Sequence, residues 1–350
     1  MSKINEPLTI KSVTIKNRIG MSPMCQYSSN EGFVNDWHFV HYGTRAVGGA
    51  GLILLEATAI APEGRITPFD LGLWNDEQIA GLKRITSFIH EHGSVAGIQI
   101  AHAGRKASHD SPANGGKQLS PEEGGWQTIA PSAIPFDPSE TAPHSLDKSE
   151  IKTLIEQFTA TASRANQAGF NVLEIHAAHG YLIHQFLSPL SNSRTDEYGG
   201  SFENRIRLLL EIVDAVKTVW PKNLPIFVRL SATDWTDGGW NLDETVELSR
   251  ILHEKGIDLI DCSSGGNIPT AKIPVGPGYQ VHFSEEIKKT GIMTAAVGLI
   301  TITEQINEIL DSEKADLVLL ARELLRNPYF PLHAGTADKL SWPTQYLRAK

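Results

Sequence analysis

The stretch "FNVLEIHAAHGYLIHQFLSPLSNSRTDEYGGSFENR", residues Phe170 to Arg205, decides the fold. Its first nine residues, Phe170 to Ala178, form a short apolar run of the kind that builds a buried strand. Where that run ends, His176, His179, Tyr181 and His184 fall within nine positions. From Ser201 the spacing turns helical, in "SFENRIRLLLEIVDAVKTVW". Strand, polar loop and amphipathic helix together make one βα unit, with its chemistry at the strand's C-terminal end.

Working outward, the same rhythm repeats. Strands are expected at Arg18 to Met24, Gly51 to Ile60, Ser94 to His102, Pro225 to Thr233, Gly256 to Ser264, Ile292 to Gly298 and Ala315 to Arg322, which makes eight with the strand above. Helical patterns lie between them. Those beginning at Asn75 and Ser149 have these residues as N-cap candidates, and Gly93 and Gly169 as C-terminal stops. Eight strands with intervening helices in 350 residues point to α/β architecture, a single (β/α)8 TIM barrel spanning residues 1–350. No Gly-rich dinucleotide turn appears in the first βα unit. One segment departs from the rhythm: 103–146 is rich in Gly, Pro, Ser and Asp and reads as a long excursion after the third strand, over the active-site face.

Composition narrows the function. A formal charge of −9 and the lack of a basic run interleaved with aromatics argue against a nucleic-acid surface. No apolar run approaches the roughly 20 residues of a membrane span. The N-terminal "MSKINEPLTIKSVTIKNRIG" lacks a signal-peptide core, so a cytoplasmic location is expected. Cys25 and Cys262 are the only cysteines, too few for a disulfide framework or a thiolate cluster.

In such a barrel, catalytic groups come from strand ends. The first strand offers Cys25 and Tyr27, the second Ala59, the third Gln99 and His102, the fourth His176, His179 and Tyr181, and the fifth Arg229. A bland reading stands beside each: a lone thiol is usually a small buried hydrophobe, and His38, His41 and His102 read as satisfying backbone groups. The H-x-x-H pair raises zinc, as in a flavin-free lyase or metal-assisted hydrolase, but no third ligand completes a set. Glu174 is expected on the opposite side of the strand from His176. Two neutral imidazoles can instead donate to one substrate oxygen, with Tyr181 as proton donor and His184 as a structural bystander. Gly298 and Arg322, after strands seven and eight, suit a phosphate belonging to substrate or cofactor.

The ordered set "SPMCQYS" (from Ser22), "GIQIAHAGRKAS" (from Gly97), "EIHAAHGYLIHQFLSP" (from Glu174), "SNSRTDEYGGSFENRIRLLLEIV" (from Ser191), "VRLSATDW" (from Val228), "GYQVHFS" (from Gly278) and "ARELLRNPYF" (from Ala321) resembles the Old Yellow Enzyme family, most of all its bacterial xenobiotic reductases and NADPH dehydrogenases. The resemblance implies non-covalent FMN, NADPH or NADH as hydride donor, and reduction of activated alkenes in detoxification. It places Ser22, Pro23, Met24, Cys25, Ala59, Gln99 and Arg229 at the flavin, and Val297, Gly298, Ala321 and Arg322 at its phosphate. His176 and His179 would hold the substrate oxygen, Tyr181 would protonate, Cys25 would touch both flavin and substrate, and Tyr27 would close the pocket. The tail, 341–350, contains "PTQYLRAK", which by the same resemblance sends Arg348 into a neighbouring subunit's site, in a homodimer or homotetramer. His282, the "RAK" ending and Ala321, where Gly is usual, depart from the family pattern. A ligand carrier without turnover is the non-enzymatic alternative.

Overall fold

The computed structural model describes residues 3–334 and 342–349. Eight parallel strands close into a barrel in sequence order: Ile19–Met21, Leu52–Ala59, Val95–Ala101, Val172–Ala177, Ile226–Ser231, Leu259–Ser263, Met293–Ala296 and Leu317–Leu320, the last pairing back to the first. This is the (β/α)8 barrel expected from the alternation. Its strands are buried along nearly their whole length, because helices cover the outside and side chains fill the inside. The outer layer packs residues such as Leu173 and Ile175 against helices including Lys148–Gln167 and Phe202–Lys217.

A second cluster fills the barrel's lower interior. Val172, Phe227, Leu259, Leu317 and Leu319 meet Leu8, Ile10, Val13 and Ile15 of an N-terminal hairpin, Leu8–Ile10 with Val13–Ile15. That plug leaves the opposite end, at the strand C-termini, for polar side chains. Because a strand alternates with period two, Val172, Glu174 and His176 all point inward. The sequence expectation for Glu174 is therefore overturned: two residues separate it from His176, so the two share a face, and its carboxylate accepts from Gln99 of the neighbouring strand.

Helix starts follow capping chemistry. Asn35, Asp147, Ser201 and Asn241 each accept a first-turn backbone N–H. Ser149 is not the N-cap expected for the third helix. Asp147 holds that position and Glu150 reaches back to it in a capping box, a carboxylate being well placed at the positive end of the helix. Gly93 and Gly169 stop their helices at φ +67° and +87°.

Residues 103–146 carry short 3-10 turns and a two-strand pairing of Ile129–Ala130 with His144–Ser145. Arg65 stacks against both Trp74 and Trp126, at 5.4 and 5.2 Å, tying this segment to the loop after the second strand. Among the described residues no helix is long and apolar enough to cross a membrane.

Candidate active site

The mouth of the barrel is built strand by strand. After Met21 the chain runs extended, with Ser22 N donating to Leu320 O and Ser22 Oγ buried without a partner. Cys25 and Tyr27 follow, near enough for the thiol to act electrostatically on the phenol, with Tyr27 in the left-handed region at φ +50°. Burial, followed by the Asp70 and Glu56 carboxylates, pushes the Cys25 thiol up, so it stays a thiol rather than a nucleophilic thiolate.

In the second strand the register shifts between Leu55 and Ala57. That irregularity sends Glu56 to Tyr42 Oη and Gln26 N and turns Ala57 and Ala59 to the mouth. With Ala101 and Ala103 they line a small-residue wall that Tyr181 also touches.

The loop after the fourth strand is held in a strained shape. His179 sits at φ +60° and Gly180 at +71°. A Cβ on Gly180 would lie 2.2 Å from Gly266 O, so only glycine fits. The strain is supported from below. His184 Nδ1 accepts from Gly180 N at 2.8 Å, Gln185 Nε2 donates to Gly180 O at 2.7 Å, and Lys106 Nζ donates to His179 O at 2.9 Å. The other nitrogen of His184 lies 3.1 Å from Asp234 Oδ1, in a fully buried pair. His184 is structural, as expected, and its work is to brace the loop.

His176 Nδ1 accepts from Ala178 N, which leaves its proton on Nε2, 3.3 Å from His179 Nδ1. His179 Nε2 in turn lies 2.6 Å from Ser263 Oγ. Burial, with Arg229 next in importance, drives both imidazoles well below their usual range, so both are neutral. The two rings therefore form a relay of N–H groups with each other, rather than two free donors side by side. A substrate oxygen seated between them would replace the ring-to-ring hydrogen bond. Tyr181 meets the edge of His176 at 5.0 Å and lies under Lys106 Nζ at 5.1 Å. Burial raises its phenol well above the usual value, so it remains a proton carrier throughout the neutral range.

Arg229 reaches from the fifth strand into a cavity of about 220 Å³. Val297, Gly298, Ala321 and Arg322 line it, together with Arg326 and Gln280. Gly298 has φ +125°, and a Cβ there would lie 2.9 Å from Gln280 Nε2. Ala321 adopts φ −103°, which a Cβ tolerates, so the change from glycine is harmless. The Arg322 and Arg326 guanidinium groups beside a close-approach backbone turn, with Arg229 on the same cavity, fit a phosphate. Arg348 is elsewhere: Trp342–Gln345 line a cavity with Lys16, Gly49 and Gly93, which precede strands one, two and three, so the tail lies at the opposite end of its own barrel.

A profile described as the NADH:flavin oxidoreductase / NADH oxidase family matches residues 3–338. The chain belongs to that family. NADPH dehydrogenases of Listeria innocua and Listeria monocytogenes are each 51% identical over 354 residues, covering 100% of this chain and 99% of theirs. Among solved structures, a morphinone reductase in complex with tetrahydroNAD is 28% identical with a TM-score of 0.80, covering 97% of this chain and 92% of its own. The old yellow enzyme homologue from Zymomonas mobilis is 28% identical with a TM-score of 0.78, covering 98% and 97%. The family's cofactor is FMN, with NAD(P)H as hydride donor, and the enzyme is an oxidoreductase. The donor set at the barrel mouth fits that cofactor: an arginine-lined cavity for a phosphate, a wall of alanines for a flat ring, and the Arg229 guanidinium; Gln99 lies buried with its amide N–H on Glu174.

Sequence reasoning passed over several residues of this mouth. Lys106 and Gln280 lie inside family-like segments, and a lysine directly after a strand end was a usable signal. Ser263, at the C-terminal end of the sixth strand, carried the same strand-end signal as the others; Asp70, in the loop after the second strand, carried none. Among the described residues no three His, Cys, Asp or Glu side chains converge as a metal-ligand set.

Proposed function

We propose that this enzyme reduces activated C=C bonds of α,β-unsaturated carbonyl and nitro compounds at the expense of NAD(P)H, by a ping-pong route in which donor and acceptor use the same site in turn. The observation that carries the proposal is the neutral His176–His179 pair beside the buried phenol of Tyr181, at a mouth walled by alanines. Bound there, FMN supplies acceptance of hydride from NAD(P)H and its donation to the alkene.

The protein's own groups divide the remaining work. His176 through Nε2–H, and His179 through Nδ1–H with its Nε2 then accepting from the Ser263 hydroxyl, hold the carbonyl or nitro oxygen and stabilise the negative charge that develops on it. Hydride arrives at the β-carbon and Tyr181 Oη gives its proton to the α-carbon, so the alkene gains two electrons and two hydrogens. Solvent returns the proton to Tyr181. Ser22, Pro23, Met24, Ala59 and Gln99 wall and position the cofactor, and Arg229 offsets charge at its polar end. Gly298, Val297, Ala321 and Arg322 hold its phosphate. Cys25 and Tyr27 border the substrate as neutral donors.

Arg348 acts in a neighbouring subunit, which makes the active form a homodimer or homotetramer. The position of the tail at the far end of its own barrel supports this. Mixing Y181F with R348A subunits tests it. Mixed oligomers that regain activity are expected, and mixtures no better than either parent refute the shared site. Removal of reactive electrophiles in the cytoplasm is the physiological role that suits such chemistry.

A further inference from the structure

Below the mouth, two buried carboxyl groups lie in the field of one guanidinium: Asp261 is ion-paired with Arg229, and Glu174 feels both electrostatically. Asp261 Oδ2 lies 3.0 Å from Arg229 Nε, without the alignment of a hydrogen bond. Glu174 accepts from Gln99 Nε2 at 2.8 Å. Both carboxyl groups are fully buried. Three of their four oxygens, Glu174 Oε2 and both of Asp261, have no hydrogen-bond partner. Two negative charges with one guanidinium in a dry interior leave one charge uncompensated, which costs several kcal/mol unless a proton is bound.

We propose that the Glu174–Asp261 pair binds one exchangeable proton and holds it more tightly when the cofactor is reduced, so that above the pair's titration range reduction draws that proton in from solvent. The groups facing the pair come from each neighbouring strand: Gln99 from the third, His176 from the fourth, Arg229 from the fifth and Asp261 itself from the sixth. Both histidines at the mouth are neutral, so among the described residues Arg229 is the cation that bears on it directly. Burial, then Asp261, raises Glu174 to about 8, with Arg229 and Gln99 opposing.

Hydride transfer from NADPH leaves NADP⁺ and adds one negative charge over Arg229. That charge competes for the guanidinium and repels the carboxylates, so the pair's affinity for a proton rises. Above the pair's titration range the balance is one NADPH and one solvent proton consumed, with the hydride on the cofactor and the proton on the carboxyl pair; below it the proton is already in place and only its affinity rises. When hydride passes on to the alkene, the added charge leaves and the pair releases its proton. The arrangement makes Glu174 a positioning residue that acts through Arg229 and Gln99. The inference rests on the cofactor's polar end lying over Arg229.

The test reduces the holoenzyme anaerobically with NADPH in lightly buffered solution and counts protons taken up per flavin with an indicator dye, with E174Q beside it. At about pH 9, above the pair's titration, the wild type is expected to take up about half a proton or more per flavin beyond E174Q. Equal uptake overturns the proposal. Should E174Q fail to load FMN, infrared spectra of the two apoproteins at about pH 7 decide. The wild-type-minus-E174Q difference is expected to contain the C=O stretch of a protonated carboxyl, and its absence overturns the proposal. Bleaching of the flavin by NADPH is followed in the same samples. A wild type without flavin colour would instead defeat the cofactor placement on which the inference rests.

Discussion

Replacing Tyr181 by phenylalanine removes one hydroxyl and little else. The ring keeps its edge contact with His176 at 5.0 Å and its place under Lys106 Nζ at 5.1 Å, so the braced loop is expected to hold its shape. What is lost is a phenol whose proton is retained because burial, followed by the Cys25, Tyr27 and Asp70 groups, holds it well above the usual value. A positioned general acid contributes about 10²- to 10⁴-fold, or about 3–5 kcal/mol of barrier. The wild-type rate of reoxidation by cyclohexenone should be flat from about pH 6 to 9, because no ionisation of the phenol falls in that window. In Y181F the rate should drop about 100-fold or more and rise as pH falls, as solvent protons take over. Stopped-flow absorbance measures the two half-reactions separately. Reduction by NADPH should be unchanged. A Y181F enzyme that reoxidises at the wild-type rate would refute the proton-donor role.

Other consequences are as direct. R322A removes a charge-assisted contact to the phosphate and should weaken FMN binding about 10- to 100-fold by fluorescence titration; unchanged affinity would move the phosphate elsewhere. D234N breaks the buried partner of His184 and should cost about 1–3 kcal/mol in urea unfolding. Glu56 is raised to about 8, chiefly by burial, so the folded state keeps a proton that the unfolded state loses near pH 4.3. That group's contribution to stability therefore falls as pH rises from about 5 to 8. The stability of the wild type relative to E56Q should decline by up to about 1.4 kcal/mol per pH unit across that window; a constant difference would show the carboxyl to be ionised.

The barrel was legible in the sequence because each strand is a short apolar run and each helix an amphipathic one, a contrast that composition alone carries. Cap residues were less so. Ser149 and Asp147 are both competent N-caps two positions apart, and the choice falls to Asp147 because Glu150 completes the box. The candidate site was visible as residue types at strand ends. What stayed hidden needed the third dimension. Period-two alternation alone places Glu174 with His176, but its pairing with Asp261 and Arg229 depends on strands that are distant in sequence becoming neighbours. The ring-to-ring bond of His176 with His179 depends on the left-handed turn at His179, which a non-glycine residue does not announce. His184 looked like a spare imidazole because its partner Asp234 lies 50 residues on, after the fifth strand.

The most direct test of the central claim is the absorbance spectrum of the purified protein through an anaerobic NADPH titration followed by addition of cyclohexenone. The purified protein should be yellow, bleach with about one equivalent of NADPH, as a two-electron acceptor must, and regain its colour with the enone. A flavin that bleaches but stays colourless after the enone is added would contradict alkene reduction as the reaction of this site.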